Sequence, residues 1–317
     1  MLKSETLSLI IVNYNSWQVL EQLLQSVGRQ KYDTKVLTKV TVIIVDNCST
    51  LPKPDFSTIC NQLSQQSIDV QWLSSHKNIG FAAGCNLGAS AAKTSLLLFC
   101  NPDIEIPENG LHQLVRVFQT QKVDLLAPAQ VNGQAKKQII SGRFPTMARF
   151  IPLIGGYFKS APRDVTDQDL YYCDWVSGSV ILMRKNDFVR LGGWDERFFM
   201  FMEDVDLCYR ATNLGLKVAV SQQTAWQHHH GVSSQHRMAD RVRSKSAALA
   251  AKHMYVSKHF NGPRKYFTQT LIVLKYLPEL LLGWLLSWLI PKPIFISRRL
   301  ILMRYFSDLK QGFNKSV

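Results

Sequence analysis

Three carboxylates, Glu203, Asp204 and Asp206, fall within four positions directly after the aromatic and methionine-rich run Phe198-Phe199-Met200-Phe201-Met202. Gly192-Gly193 opens this stretch as a turn. Leu207, Ala211 and Leu214 follow at helical spacing, with Gly215 as a C-terminal stop, so a helix is predicted to begin at the acids. Two physical effects then compete at Glu203 and Asp204. The positive end of the helix favours a carboxylate. Apolar walls disfavour one, and desolvation lifts its pKa toward the range of a working general base. The plain alternative is that Glu203 and Asp204 cap the helix while Asp206 pairs with Arg210 one turn on. Three acids together, after such a run, point to proton-transfer chemistry, with Asp204 and Glu203 as the catalytic candidates.

These acids must be positioned by the elements before them. Leu7 to Val12 is a short apolar run ending at Asn13-Tyr14-Asn15, and a helix is predicted from Trp17 to Arg29. Val40 to Val45 ends at Asp46-Asn47, and a Pro-containing helix is predicted from about Pro54. Val70 to Leu73 ends near Asn78, with a helix expected over Phe81 to Ala92. Ser95 to Cys100 ends at Asn101-Pro102-Asp103. Strands alternating with helices imply right-handed crossovers and a mainly parallel sheet, and ligands of such sheets bind at the carboxyl ends of the strands. Here those ends carry Asn or Asp four times over. Gly80, Gly84 and Gly88 recur every fourth residue, which predicts a helix lying close on the sheet. They form neither a G-x-G-x-x-G nor a Walker pattern, so a dinucleotide or P-loop site is unsupported. Asn86 lies on that helix, facing either packing or ligand.

After Pro107 a helix is expected from Glu108 to Thr120, then a strand at Val123 to Ala127. Gly133 to Asp169 reads as a long loop that shapes a substrate site. Asp174 to Met183 is a turn into a strand, and Lys217 to Val220 is another, leading to Trp226-Gln227-His228-His229-His230.

The chain has 317 residues, 46% of them hydrophobic, enough for a sizeable core. Its net charge of +14 is uneven: from Arg237 onward fifteen Lys and Arg face three acids. The basic character therefore belongs to the C-terminal part, which argues against nucleic acid as the partner. Six cysteines without a C-x-x-C pair read as free thiols in a reducing compartment. Met1 to Thr6 lacks the layout of a secretory signal, and a cytoplasmic location is expected.

The pieces Ile11-Val12-Asn13-Tyr14-Asn15, Val45-Asp46-Asn47-Cys48-Ser49, Lys77-Asn78-Ile79-Gly80-Phe81-Ala82-Ala83-Gly84, Asn101-Pro102-Asp103, Asp174-Trp175-Val176-Ser177-Gly178, and Phe198 through Arg210 with His228 together resemble the family 2 glycosyltransferases. Each is weak alone. Six in order over residues 7 to about 235 are not. The form is most similar to the bacterial rhamnosyltransferase branch. The resemblance implies an α/β GT-A (Rossmann-like) nucleotide-sugar-binding domain over 1–235; the basic, apolar residues over 236–317 are read separately as a C-terminal helical membrane-associating region.

It also implies roles. Asn13, Asn15, Asp46, Asn47, Asn78, Asn86, Asn101, Asp103, Trp175 and Gly178 become candidates for binding the nucleotide sugar, with Asp46 meeting the base. Trp175 and the turn at Gly178 would floor the sugar pocket, as aromatic faces suit a sugar ring. Short polar side chains at strand ends also cap loops, and a tryptophan there also serves a core. Asp103 would be a ligand to Mg²⁺ or Mn²⁺, although Asn101 replaces the first acid of the family's usual pair. His228, twenty-four residues past Asp204, would complete the metal site; His229 and His230 are its competitors. Asp204 would be the base of an inverting displacement. The donor would be a nucleotide-diphosphate sugar, with dTDP-rhamnose favoured, and the acceptor a saccharide or lipid-linked saccharide at the inner face of the plasma membrane.

Two other functions fit the sequence less well. A sugar-phosphate nucleotidyltransferase opens with a Gly-rich phosphate loop and a basic residue, and Asn13 to Trp17 has neither. A catalytically silent binding module would have little reason to hold Asp103, Asp204 and His228 together. In the C-terminal part Arg241, Arg243 and Lys245 lead into an Ala-rich helix. The apolar piece Leu280 to Ile290, bounded by Lys275, Pro278 and Glu279 before it, is too short to span a bilayer. Two membrane-surface helices are expected, with a helical hairpin packed on the domain or a dimer contact as the alternative.

Overall fold

The computed structural model describes residues 4–31, 33–153, 169–229 and 238–314. The strands are β1 (Glu5–Asn13), β2 (Leu37–Asp46), β3 (Ile68–Ser74), β4 (Leu96–Cys100), β5 (Ile104–Glu105), β6 (Leu125–Val131), β7 (Ser141–Gly142), β8 (Leu170–Tyr172), β9 (Trp175–Val176), β10 (Val180–Arg184) and β11 (Val218–His228). The helices are α1 (Trp17–Gly28), α2 (Ser57–Gln65), α3 (Phe81–Ala91), α4 (Gly110–Thr120), α5 (Lys185–Arg190), α6 (Glu203–Asn213), α7 (Met238–His259), α8 (Gly262–Leu289) and α9 (Pro293–Asn314). His230, Arg237, the expected domain boundary near 235 and much of the predicted loop (154–168) lie outside the described residues.

One large sheet runs β3-β2-β1-β4-β10-β6-β11-β5, with β8 pairing β11 off this path. The β3-β2-β1-β4 half is parallel throughout, as is the β6–β11 pair. β10 enters antiparallel between β4 and β6. The period of two along each strand explains the layers. In β1, Leu7, Leu9 and Ile11 face α1, α2 and α4 in one core. Ile10 and Val12 face α3, α5 and α6 in the other. The sheet is therefore buried on both faces, which is why these strands read as nearly continuous apolar runs.

α3 lies as close as its glycines predicted. A Cβ on Gly88 would stand 2.5 Å from Ile10 Cγ2, and one on Gly84 2.8 Å from Val12 Cγ1. Gly80 begins the helix at φ +89, where a Cβ would meet the Phe199 carbonyl oxygen at 2.5 Å. That contact brings the 194–202 segment onto the start of α3, and the Phe81 N–H donates to Phe199 O at 2.9 Å.

All six cysteines are free. Burial pushes the Cys85, Cys100 and Cys208 thiols well above their ordinary range, so these three stay protonated and pack as small apolar groups.

The C-terminal helices form two further clusters. Phe150, Phe198 and Val205 pack with Ala251, Tyr255 and Ile272, joining α6 to α7 and α8. Val242, Leu249, Leu280, Ile301 and Tyr305 join α7, α8 and α9. One expectation is corrected here. The apolar segment is not an isolated stretch from Leu280, because α8 is a single helix of 28 residues that continues through Pro278. Proline frees only the carbonyl four residues back. Leu274 and Pro278 are both exposed, so that carbonyl lies on the outer face. By length and composition alone α8 could cross a membrane.

α6 and α7 are locked by Asp206, which is wholly buried. Its Oδ2 pairs with Arg210 Nε at 2.8 Å, and its Oδ1 takes Lys258 Nζ at 2.6 Å and His259 Nε2 at 2.8 Å. Burial alone would raise its pKa. The His259 hydrogen bond and the charges of Arg210 and Lys258 outweigh that and hold the carboxyl below its ordinary 3.8. A depressed carboxylate adds stability above the unfolded pKa and loses it as pH falls through the folded one. Asp206→Ala is expected to cost about 3 kcal/mol at pH 7, the lower end for a broken buried pair, since it removes the carboxylate partner of Arg210 and His259 while Lys258 keeps Asp195. Urea midpoints should show that deficit shrinking toward pH 3; a deficit independent of pH would refute the linkage.

Candidate active site

The antiparallel register of β10 against β4 pairs Val180 with Cys100. It sets the turn before β10, Ser177-Gly178-Ser179, beside the residues that follow β4, Asn101 to Asp103. The Asn101 N–H donates to Ser179 O at 2.8 Å. On its other side the turn meets the start of α6, where the Gly178 N–H donates to Asp204 Oδ2 at 3.0 Å. The Val205 N–H donates to Asp204 Oδ1 at 2.8 Å. Each carboxylate oxygen thus accepts one backbone N–H and keeps a lone pair. A Cβ on Gly178 would touch Asp204, Phe81 and Trp194 at 3.4 to 3.6 Å, so a larger residue would press on the base candidate.

Ser179 continues the chain of contacts. Its Oγ lies 3.1 Å from Gln130 Oε1 and accepts from Gln130 Nε2 at 2.8 Å. Gln130 Oε1 also lies 2.8 Å from His228 Nδ1. An oxygen at that place suits a proton on Nδ1, which would leave the Nε2 lone pair, on the far side of the ring, for a ligand. There Nε2 meets Asp103 Oδ1 at 3.3 Å. Both side chains are almost fully buried. Backbone pairing holds them there, because β5 pairs antiparallel with β11, His228 opposite Ile104, and the His229 N–H donates to Asp103 O at 2.9 Å. His229 itself turns toward Glu105, at 3.4 Å.

A carboxylate and an imidazole lone pair directed at one point suit a divalent cation bound by oxygen and nitrogen, such as Mn²⁺ or Mg²⁺. Among the described residues no group of three or more His, Cys, Asp or Glu could hold a metal by itself. A cation at Asp103 and His228 would therefore take its remaining ligands from substrate and water.

The acids at the start of α6 have separate environments. Glu203 is buried and its Oε2 has no hydrogen-bond partner among the described residues. Burial, then the adjacent Asp204 charge, pushes it well above the ordinary carboxylate range. Asp204 is raised too, by burial, against the opposing N–H bonds of Gly178 and Val205. Phe201 and Met202, just before them, both have positive φ, at 71 and 66. Two such residues in succession are strained backbone of the kind found at functional sites.

The other predicted residues divide by what occupies their polar atoms. Asn13 is buried, its Nδ2 donates to Ser49 Oγ at 3.3 Å, and its Oδ1 has no partner among the described residues. Asp46 is half-buried at the end of β2 and accepts the Ser49 N–H at 3.1 Å. Asn15 Oδ1 accepts the N–H groups of Thr50 and Leu51, at 2.8 and 2.9 Å. Asn47 donates to Asn78 Oδ1 and Gly80 O, both at 3.1 Å, and accepts the Ile79 N–H. Asn15, Asn47 and Asn78 thus shape the loops around the strand ends. Asn86 bonds the Trp194 N–H, the Trp194 carbonyl and Glu196 Oε1, all at 2.9 Å, fastening α3 to the segment before α6. Trp175 donates to Arg143 O at 2.9 Å and lies half-buried between two of the cores.

Sequence reasoning passed over Gln130, which lies inside a strand with no motif around it. It also missed that Arg243 of α7 reaches Tyr14, with Nη1 3.3 Å from the phenol oxygen.

Strands ending in Asn and Asp, an antiparallel strand beside β4 and acids at the head of α6 define a GT-A-like α/β fold. Residues 8–175 match the family described as Glycosyl transferase family 2. That is just over half of the chain, and the chain belongs to this family of glycosyltransferases. Rhamnosyltransferase WbbL of Escherichia coli is 24% identical over 221 residues, covering 66% of this chain and 78% of that protein. The N-acetylglucosaminyl-diphospho-decaprenol L-rhamnosyltransferase of Mycobacterium tuberculosis is 24% identical over 270 residues, covering 79% and 82%. A mannosyltransferase from Pyrobaculum calidifontis, solved with GDP-Man and Mn²⁺, superposes with a TM-score of 0.57 at 12% identity. It covers 97% of this chain and 90% of its own, a likeness of fold.

The raised pKa of Glu203 makes a stability prediction. A carboxyl whose folded pKa lies above its unfolded 4.5 holds its proton longer in the folded chain, so stability falls as pH rises through that window. Glu203→Gln removes the ionisation. Its Tm should exceed that of the parent at pH 8, with the difference narrowing toward pH 5. An equal difference at both pH values would contradict a buried, protonated Glu203.

Proposed function

We propose that the chain is a metal-dependent inverting hexosyltransferase. It moves a sugar, rhamnose favoured, from a nucleotide-diphosphate donor (dTDP-rhamnose favoured) to a saccharide or lipid-linked acceptor in bacterial cell-surface polysaccharide synthesis. The observation that carries this reading is the unbroken run of contacts from Asp204 through Gly178, Ser179 and Gln130 to His228 and Asp103. It ties a candidate base to a candidate cation site through the turn Ser177-Gly178-Ser179 and Gln130.

Asp103 and His228 would hold Mg²⁺ or Mn²⁺, and Gln130 fixes the His228 tautomer. A bound cation supplies neutralisation of the charge on the departing diphosphate. β1 lies between β2 and β4, so Asn13 and Tyr14 stand between Asp46 at the base end and Asp103 at the diphosphate end. The partnerless oxygen of Asn13 suits a donor hydroxyl or ring N–H there. Asp204 takes the proton of the acceptor hydroxyl as its oxygen bonds to the anomeric carbon. The bond from that carbon to the diphosphate oxygen breaks with its electron pair on the oxygen, and the configuration inverts. Desolvation makes Asp204 a stronger base, while the Gly178 and Val205 N–H groups fix where its free lone pairs point.

The relatives' named acceptor chemistry and the outer face of α8 support a membrane-linked acceptor. Leu281, Leu282, Trp284, Leu285, Trp288 and Leu289 are exposed on α8, with Arg264 and Lys292 exposed near its two ends. Such a surface suits anionic headgroups over an apolar layer, at the cytoplasmic face of the plasma membrane.

Asp204→Asn is expected to lower turnover by about 100-fold or more, the scale of lost general-base catalysis, with donor binding kept. Asp103→Ala should remove the Mn²⁺-dependent part of the thermal shift produced by dTDP, UDP or GDP. If Asp204→Asn turns over near normally, the base is elsewhere. If no nucleotide gives a metal-dependent shift in the parent, the reading itself fails.

A further inference from the structure

Away from the acids, two lysines from two helices flank one aromatic ring, and the charge of a third cation, Arg149, reaches both of them. Lys252 of α7 and Lys275 of α8 place their Nζ atoms 5.3 and 5.8 Å from the centre of the Tyr276 ring. Arg149, in the short 3-10 helix Met147–Phe150, joins them through its carbonyl, which accepts Lys275 Nζ at 2.9 Å. Lys252 Nζ donates to Ala248 O at 2.9 Å. All three side chains are half-buried. Among the described residues, none of the three is paired with a carboxylate. Tyr276 presents a ring face, which attracts cations but does not neutralise them.

This arrangement is electrostatically unfavourable as it stands. Like charges brought together under partial burial repel more strongly than in water. Burial first, then the charges of Lys275 and Arg149, lowers Lys252 to a pKa of about 8. Lys275 is lowered by burial and by Arg149. Cations held in this way, without acids, are what a multiply charged anion requires.

The position indicates which anion. From Arg149 the chain runs back to Arg143, whose carbonyl accepts the Trp175 indole N–H, and to Phe144, whose N–H donates to Asp174 Oδ2 at 2.9 Å. The cluster is thus fastened to the Trp175 side of the candidate active site. On its other side Val273 and Leu274, next to Lys275, are exposed, and the apolar face of α8 continues from them to Leu281 and Leu285. A headgroup anion held by the three cations would have its chain run along apolar surface and its other end face Trp175.

We propose that Arg149, Lys252 and Lys275 form a binding site for the phosphoryl or diphosphoryl group of an amphiphilic acceptor, whose lipid lies along α8. This rests on the transferase reading above, because it assigns residues to the acceptor side of that reaction.

The test uses the full chain in EDTA, so that a cation at Asp103 and His228 cannot contribute. Farnesyl diphosphate is the probe and farnesol its uncharged control. Phosphatidylcholine vesicles, with and without phosphatidylglycerol, form the second arm. The parent should bind farnesyl diphosphate more tightly than farnesol. In Lys252→Gln/Lys275→Gln that affinity should fall at least about tenfold, the scale of lost charge-assisted bonds, and farnesol binding should not change. The Tm of this variant should equal or exceed that of the parent, because repulsion has been removed. Arg149→Gln, in a segment apart from α7 and α8, should repeat the loss if the double variant folds poorly. Unchanged affinity in the variants, or farnesol binding as tightly as its diphosphate, would overturn the site. If the variants lose only the phosphatidylglycerol-dependent vesicle binding, the anion is a bilayer headgroup and the acceptor assignment is wrong. Nucleotide shifts with Mn²⁺ separate the two levels. Their persistence while the probe arm fails rejects this site alone, and their absence in the parent rejects the transferase reading.

Discussion

Everything at the site depends on one strand running against its neighbours. A purely parallel sheet would place only loops that follow strands at its carboxyl edge. β10 runs antiparallel beside β4, so a loop that precedes a strand arrives at the same edge. That loop is Ser177-Gly178-Ser179. Its backbone and one hydroxyl hold three things in place together: the residue after β4, the base candidate on α6, and Gln130 behind His228. β5 does the same on a smaller scale against β11, bringing Asp103 to His228. The acids and the imidazole are far apart in the chain, and two antiparallel pairings are what make them neighbours.

Much of the N-terminal half was legible because it is governed by local periodicity. Strands buried on both faces give continuous β-branched runs, helices give a 3.6-residue stripe, and the four-residue glycine spacing of α3 reports its closeness to Ile10 and Val12. The start of α6 at Glu203 followed from the same logic. Other features were not legible, for a common reason. Strand direction leaves no mark on a run as short as Val180–Arg184, so the antiparallel insertion was invisible. Gln130 is one polar residue in a strand, and its value comes from Ser179 and His228, both distant in sequence. Asn86 could be placed on a helix, but its partners Trp194 and Glu196 lie over a hundred residues away. Pro278 read as an interruption because sequence rules count the lost hydrogen bond. They do not count that the freed carbonyl can face outward while Thr268, Leu271, Leu280 and Gly283 still pack inward.

The C-terminal helices are part of the same construction and not a detachable tail. α7 supplies Lys258 and His259 to Asp206 on α6, and it supplies Arg243 to Tyr14 at the end of β1. α8 meets the segment that carries Phe150 and, further back, the carbonyl bonded by Trp175. The basic excess of this region is therefore spent in two ways. Part neutralises acids of the catalytic half. Part, around Tyr276, is paired with no acid among the described residues. A charge count along the sequence cannot separate these, because the difference lies in which helix face each lysine occupies.

Glu203, Asp204 and Asp206 show how one turn of helix can give three neighbouring acids three different environments. Asp206 points toward α7, receives two cations and a histidine, and is held charged. Glu203 points inward with one oxygen unpartnered and is pushed strongly toward the neutral form. Asp204, between them, is partly exposed and accepts two backbone N–H groups that limit its rise. Neighbouring carboxylates cannot all ionise cheaply at this spacing. A neutral Glu203 removes the like charge nearest to Asp204, and a neutralised Asp206 removes the next. Asp204 is then the acid raised by burial and not by like charge, with its two oxygens fixed by the Gly178 and Val205 N–H groups.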